Sequence, residues 1–170
     1  TSNNNTVDCQ GALLNGTNAS GSYGVYAASN SLNAIITNCN ISNFQYGIYF
    51  NSANNGTVRN NTASTTQTNG YGVYLLNSAN NTLANSSLSS SASNSLVVNN
   101  SNTSTISNNT FLSAGGASTL ALLTSSSTNN TFYWNNFTNT SGYYVNDSST
   151  GTNQYNSSTE GNIWPDAINQ

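Results

Sequence analysis

Histidine and methionine are absent from the 170-residue chain, Arg59 is its single basic residue, and four acids (Asp8, Asp147, Glu160 and Asp166) bring the net charge to −3. Binding a nucleic acid by neutralising phosphates needs several Lys or Arg, and holding an anionic membrane surface needs a basic cluster, so both partner classes are excluded. No apolar run approaches the ~20 residues that cross a bilayer as a helix, so no membrane insertion is expected within this chain. The opening TSNNNTVDC has neither a basic nor an apolar stretch. Either a targeting segment has been removed or the sequence is a piece of a longer chain. Proline occurs once, at Pro165.

Asn, Ser and Thr fill the space that charge leaves. Disorder usually couples low hydrophobicity to high net charge, whereas here the apolar residues are periodic, which predicts order. One phrase is said three times: YGVY at 23–26, YGIYF at 46–50 and YGVYLL at 71–76. An Asn-rich step and a short apolar-plus-threonine run follow each copy, giving a repeat of about 22 to 26 residues, the period of a solenoid. From Val25 the equivalent positions are Ile48, Val73, Leu96, Leu120 and Tyr144, and two residues further on stand Ala27, Phe50, Leu75, Val98 and Leu122. A second column runs Val7, Ile36, Val58, Leu83, Ile106 and Phe132, and five residues beyond its later members come Ile41, Ala63, Leu88, Phe111 and Phe137. Columns that keep their spacing through successive repeats predict short strands whose inward side chains stack from coil to coil. Helices are disfavoured, because the runs are short, β-branched and aromatic and lack a 3.6-residue period.

Asn38, Asn60, Asn85 and Asn108 fall at one corner between two of these columns. Asn tolerates the left-handed backbone of a sharp turn, and its amide can bond to the amide one coil away, so an asparagine ladder is expected there. The reading is all-β: a right-handed parallel β-helix of about six to seven coils in one domain, 1–170. Residues 1–22 are its first coil, 23–145 its regular coils, and 146–170 a C-terminal coil and cap in which Trp164 covers the open core. No comparable cap is visible at the start, which leaves strand edges that invite another chain or domain.

Sixteen Asn-X-Ser/Thr sequons lie along the chain, at Asn4, Asn15, Asn18, Asn40, Asn55, Asn60, Asn80, Asn85, Asn99, Asn102, Asn108, Asn129, Asn136, Asn139, Asn146 and Asn156. In a glycosylating host they mark surface acceptors of an exported protein, although a chain this rich in Asn, Ser and Thr also makes sequons by chance. The two cysteines, Cys9 and Cys39, fall on neighbouring coils one residue out of register. Coils ~4.8 Å apart allow a disulfide at that offset; opposed side-chain directions would instead leave two buried thiols.

The YGIYF…NN-T-V phrase, the opening NTVDCQGALL and the ending GNIWPDA resemble the right-handed parallel β-helix repeat proteins. Within them the likeness is to the branch that includes the periplasmic copper-associated accessory proteins of nitrous oxide reductase and many archaeal surface proteins. The resemblance implies the fold over nearly the whole chain and leaves function open, because such repeats serve carbohydrate-active enzymes, accessory proteins and surface proteins alike. β-Helix enzymes of this kind imply clustered acids and a basic residue, but the four acids here are spread over the first coil, the last coil and the cap, and Arg59 stands alone. A soft copper site wants Cys, Met or His, and two cysteines are all there is. No catalytic, cofactor-binding or metal-binding residue is therefore expected.

The remaining candidate is aromatic. Tyr26, Tyr49 and Tyr74 alternate with inward residues and predict an outward stripe, continued by Val97 and Ala121. Such a stripe either stabilises the sheet by cross-coil stacking or anchors a sugar ring or another protein. The function expected is a non-catalytic, N-glycosylated building block of an extracellular fibre, filament or sheath on a prokaryotic, archaeal-like cell surface, self-associating end to end or side to side into a fibre or surface layer. The competing expectation is a carbohydrate-binding or adhesin-like module that uses the stripe.

Overall fold

The computed structural model describes residues 3–29, 31–113, 119–138 and 142–164. Asn139, Pro165 and Asp166 lie outside the described residues. Among the described residues, eighteen short strands wind into six stacked coils of three. The first coil is β1 (Thr6–Asp8), β2 (Leu13–Asn15) and β3 (Tyr23–Ala27); the second is β4 (Ile35–Thr37), β5 (Asn40–Ser42) and β6 (Tyr46–Asn51). Then come β7 (Thr57–Arg59), β8 (Thr62–Thr65) and β9 (Tyr71–Leu76), followed by β10 (Thr82–Ala84), β11 (Ser87–Ser90) and β12 (Leu96–Asn99). The last two coils are β13 (Thr105–Ser107), β14 (Thr110–Ser113), β15 (Thr119–Thr124) and β16 (Thr131–Tyr133), β17 (Asn136–Thr138), β18 (Tyr143–Asp147). Every third strand pairs, giving three parallel six-stranded walls, the first starting with β1, the second with β2 and the third with β3. Isolated bridges from Gln154 to Thr131 and from Ile163 to Asn136 begin a further turn. The fold is a parallel β-helix of six coils and part of a seventh.

Most apolar columns run as the spacing predicts. On the first wall Val7, Ile36, Val58, Leu83, Ile106 and Phe132 are in register, and on the second Ile41, Ala63, Leu88, Phe111 and Phe137. All but Val7 are buried. Each fully buried Ile, Leu or Phe removes enough apolar surface to contribute roughly 1.5–3 kcal/mol, and Phe111 and Phe137 stack with centroids 4.9 Å apart.

The third wall corrects four positions. Val25, Ile48, Val73 and Leu96 align as expected, but the next members are Ala121 and Val145 rather than Leu120 and Tyr144. The neighbouring column continues in Leu123, not Leu122, and it is Leu122, not Ala121, that follows Val97 on the outer face, Ala121 being buried. In β15 (TLALLT) four consecutive residues are apolar, so alternation does not fix the phase, and a one-residue slip reverses every side chain.

Corners are built from asparagine in two roles. Asn38, Asn60, Asn85 and Asn108 are left-handed, with φ between 52° and 57°, and Trp134 takes the same conformation at the next coil. Their side chains face solvent and bond partly in sequence: Asn38 Nδ2 donates to Asp8, Asn60 Nδ2 to Asn38 Oδ1 (3.4 Å) and Asn108 Nδ2 to Asn85 Oδ1 (2.6 Å). The stronger ladder is one residue on and buried. The backbone N–H of Cys39 donates to Asn61 Oδ1 (2.9 Å), that of Ser86 to Asn109 Oδ1 (2.9 Å) and that of Asn109 to Asn135 Oδ1 (3.0 Å). Each amide reaches back the other way, Asn61 Nδ2 to the Ile36 carbonyl and Asn109 Nδ2 to that of Leu83. A parallel ladder at the corner entering the first wall uses Asn81, Ser104 and Asn130.

At the C-terminal end Trp164 stacks on Phe137 at 4.7 Å and covers the last rung. At the other end Val7 and Leu13 are exposed.

Asn109→Ala strips a partner from both the Ser86 N–H and the Leu83 carbonyl, each buried, and is expected to lower stability by about 3 kcal/mol in urea denaturation. Asn108→Ala, at the exposed left-handed position beside it, is expected to cost about 1–2 kcal/mol, mainly through backbone strain, since the bond it loses to Asn85 is exposed to water. Equal losses in the two variants would refute the assignment of the buried amide as the corner's main support.

Candidate functional site

The outward tyrosines sit at the start of the third wall, on β3, β6 and β9, and there are twice as many as the stripe predicts. Tyr23, Tyr46 and Tyr71 form a second column beside Tyr26, Tyr49 and Tyr74. The glycine between them makes this possible. A Cβ on Gly47 would stand 2.5 Å from the Gly72 carbonyl oxygen and 3.0 Å from Ala63 Cβ, so the strand can approach the second wall only with no side chain there. With that position empty, the residues one before and two after it both turn outward. The repetition of Tyr-Gly-x-Tyr carries the signal, which period-two alternation alone does not read.

The six rings lie against one another. Tyr49 and Tyr74 are 5.0 Å apart with planes 7° from parallel, Tyr46 and Tyr49 are 5.1 Å apart at 21°, and Tyr23 lies 5.3 Å from both Tyr46 and Tyr49. Two coplanar rings cannot come this close edge to edge without overlap, so the near-parallel pairs are offset face to face. Their faces are therefore turned mostly on one another, and edges and hydroxyls face solvent. Asn51 Nδ2 donates to the Tyr26 hydroxyl (3.3 Å) and Asn99 Nδ2 to that of Tyr74 (3.0 Å). Exposure falls along the stack from Tyr26 at 46% and Tyr23 at 39% to Tyr49 at 9%. Burial, reinforced by the neighbouring phenols, pushes Tyr49 up to about 12 and raises Tyr46 as well.

The acids are dispersed. Asp8 accepts from the Gln10 N–H and Asn38 Nδ2, which hold its carboxyl below the usual range. Burial would raise Asp147, but hydrogen bonds from Ser149, Tyr155 and Asn153 outweigh it and hold the carboxyl low. These bonds tie the partial seventh turn to the sixth coil. Glu160 accepts from Trp134 Nε1 at 2.8 Å. No group of three His, Cys, Asp or Glu side chains converges among the described residues. Cys9 and Cys39 are joined by a disulfide with Cα atoms 4.8 Å apart. Cys39 holds the buried position that Asn61, Ser86 and Asn109 hold in later coils, so the bond closes the ladder at its first rung.

None of the fifteen sequon asparagines among the described residues is buried. The fully buried asparagines, Asn61, Asn81, Asn109, Asn130 and Asn135, are all outside the acceptor position of a sequon. At 60–62, 80–82, 108–110 and 129–131 the triplet Asn-Asn-Thr reads, in order, as left-handed corner, buried ladder amide and first strand residue. Those four sequons are thus also what the corner itself requires.

The family model described as periplasmic copper-binding protein (NosD) matches residues 1–167. No curated protein and no solved structure matches the chain. The chain belongs to that β-helical family, whose description places it in the cell envelope and names binding rather than a reaction. A disulfide suits that oxidising side of the membrane. The copper of the description does not fit the residues present: histidine and methionine are absent, and both cysteine sulfurs are bonded to each other.

Two expectations follow. Copper added as Cu(I) or Cu(II) to the oxidised protein should leave on desalting, and stoichiometric retention by elemental analysis would contradict the reading of the donor set. For the tyrosines, the folded state prefers the neutral phenol of Tyr49, so its stabilising effect is complete below the ordinary value of 10.0 and is lost as pH rises through about 12. A spectrophotometric titration should show a late phenolate phase, to which Tyr46 and Tyr155 also contribute, and Tyr49→Phe should lower its amplitude by one tyrosine.

Proposed function

We propose that this member of the periplasmic copper-binding protein family is a non-catalytic structural segment of the cell surface, an N-glycosylated β-helical building block of a fibre, filament or sheath. The observation that carries the reading is the division of the asparagines. Potential acceptors stand on the outside of the rod along its length, and the amides that hold the coils together are hidden from modification. A chain with only 3% charged residues lacks the surface repulsion that keeps proteins dispersed, and suits close packing or a glycan coat. Stacked coils of uniform section also suit a rod that bears load along its axis, and a contact between copies that does not close on itself extends such a rod.

The second reading, a carbohydrate-binding or adhesin-like module, draws on the exposed part of the tyrosine stack. Edges and hydroxyls on the outer face support protein contact more than sugar stacking, which needs free ring faces. The two readings part under substitution of Tyr23 and Tyr26 by Ser, which leaves the buried Tyr49 in place. Loss of glycan binding with assembly intact favours the module, and loss of assembly favours the building block. Protein isolated from its native host is expected to lose mass on deglycosylation and to form elongated assemblies in electron micrographs. Unmodified, dispersed monomers would overturn the proposal.

A further inference from the structure

We propose that the tyrosine stack is an oxidative cross-linking site, at which one-electron oxidation joins rings of successive coils into dityrosine and staples the first three coils covalently. The inference goes beyond the structural role above and does not depend on assembly, because it concerns bonds within one chain.

Three observations carry it. The first is proximity: each ring of the middle coil lies within contact of rings on both neighbours, Tyr49 at 5.3 Å from Tyr23 and 5.0 Å from Tyr74, and Tyr46 at 5.3 Å from Tyr23. Two radicals formed on adjacent rings are already held as an encounter pair, so coupling needs only a tilt of the rings, not diffusion. Next, the outer members can meet an oxidant, Tyr26 being 46% and Tyr23 39% exposed, while Tyr49 is sheltered. The last is the absence of competitors. Methionine and free thiols take oxidants before phenols do, and the chain has no methionine and no free cysteine. Trp134 and Tyr143 are exposed too, but both lie in the sixth coil, Trp134 at the corner after β16 and Tyr143 at the start of β18, away from the stack on the first three.

The chemistry balances with hydrogen peroxide and a haem peroxidase as the oxidant class. Two phenols each lose one electron and one proton. The two radicals join through one C–C bond ortho to the hydroxyls, and the displaced ring hydrogens return to the oxygens. The two electrons and two protons reduce one peroxide to two waters.

The test treats the folded, disulfide-bonded protein with peroxidase and peroxide at low protein concentration. Expected are dityrosine fluorescence in the monomer fraction, loss of two hydrogens per bond by intact mass, and peptic fragments joining Tyr23 or Tyr26 to Tyr46 or Tyr49, or the latter pair to Tyr71 or Tyr74. Tyr23→Phe with Tyr26→Phe keeps the rings for packing and should lose the links between the first and second coils while keeping those between the second and third. The same reaction in denaturant with the disulfide reduced should lose the preference for these pairs, a control that holds even where the variant folds poorly. Coupling found only between copies, products confined to Trp134 or to the other four tyrosines, or an unchanged pattern after denaturation would each overturn the proposal.

Discussion

The corner of each coil poses the problem on which the rest of this fold depends. Parallel strands satisfy one another's backbone groups coil by coil, but where the chain turns from one wall to the next its N–H and C=O groups point along the axis with no strand to meet them. An orphaned buried group costs about 1–3 kcal/mol, and there are several corners per coil. The solution is a side chain that imitates backbone. Asn61, Asn109 and Asn135 each accept from the N–H one coil before them and donate to the carbonyl that would otherwise be orphaned. Serine fills the same place at Ser86 with half the capacity. Because each rung accepts on one side and donates on the other, the rungs polarise one another in sequence, and the low dielectric of the interior strengthens them.

This requirement explains the composition. A left-handed residue must precede each ladder amide, and asparagine is the side chain other than glycine most at ease there. A threonine that opens the next strand completes the triplet. Glycosylation and the fold therefore write the same three letters at four corners, so accessible sequons off that pattern, such as Asn15, Asn40, Asn146 and Asn156, are the ones whose presence the coil does not already demand. The cysteine pair belongs to the same logic. At the first rung a covalent bond to Cys9 stands where the later coils have an amide.

Much of the architecture was legible because a solenoid writes each wall as a column. Most strands of the first and second walls keep one apolar residue between polar neighbours, and constant spacing carries the column through the exceptions β2 (LLN), β4 (IIT) and β14 (TFLS), so their register could be read without coordinates. β15 could not be phased, since Leu120, Ala121, Leu122 and Leu123 offer an apolar residue to either face. The buried ladder was hidden by its neighbour: in Asn-Asn the sequence does not say which amide turns inward, and Asn60 drew attention that belonged to Asn61. Half of the tyrosine site was missed for a related reason. Strict alternation places Tyr23 and Tyr26 on opposite faces, and the close approach at the glycine, which puts them on one, depends on the second wall being there.

Family membership fixes the coil and leaves its outward positions open. Metal ligands would have to occupy such positions, and here they hold phenols instead of imidazoles or thioethers. The coil then shapes what those phenols become. Parallel strands lie ~4.8 Å apart, close to the distance at which aromatic rings stack, so a tyrosine repeated in register makes a continuous pile with little adjustment. The pile lasts as long as the register and the residue both persist. β9 to β12 keeps the register, but Val97 follows Tyr74, and the stack stops there although the wall continues. Its extent is thus a property of one column of side chains rather than of the fold.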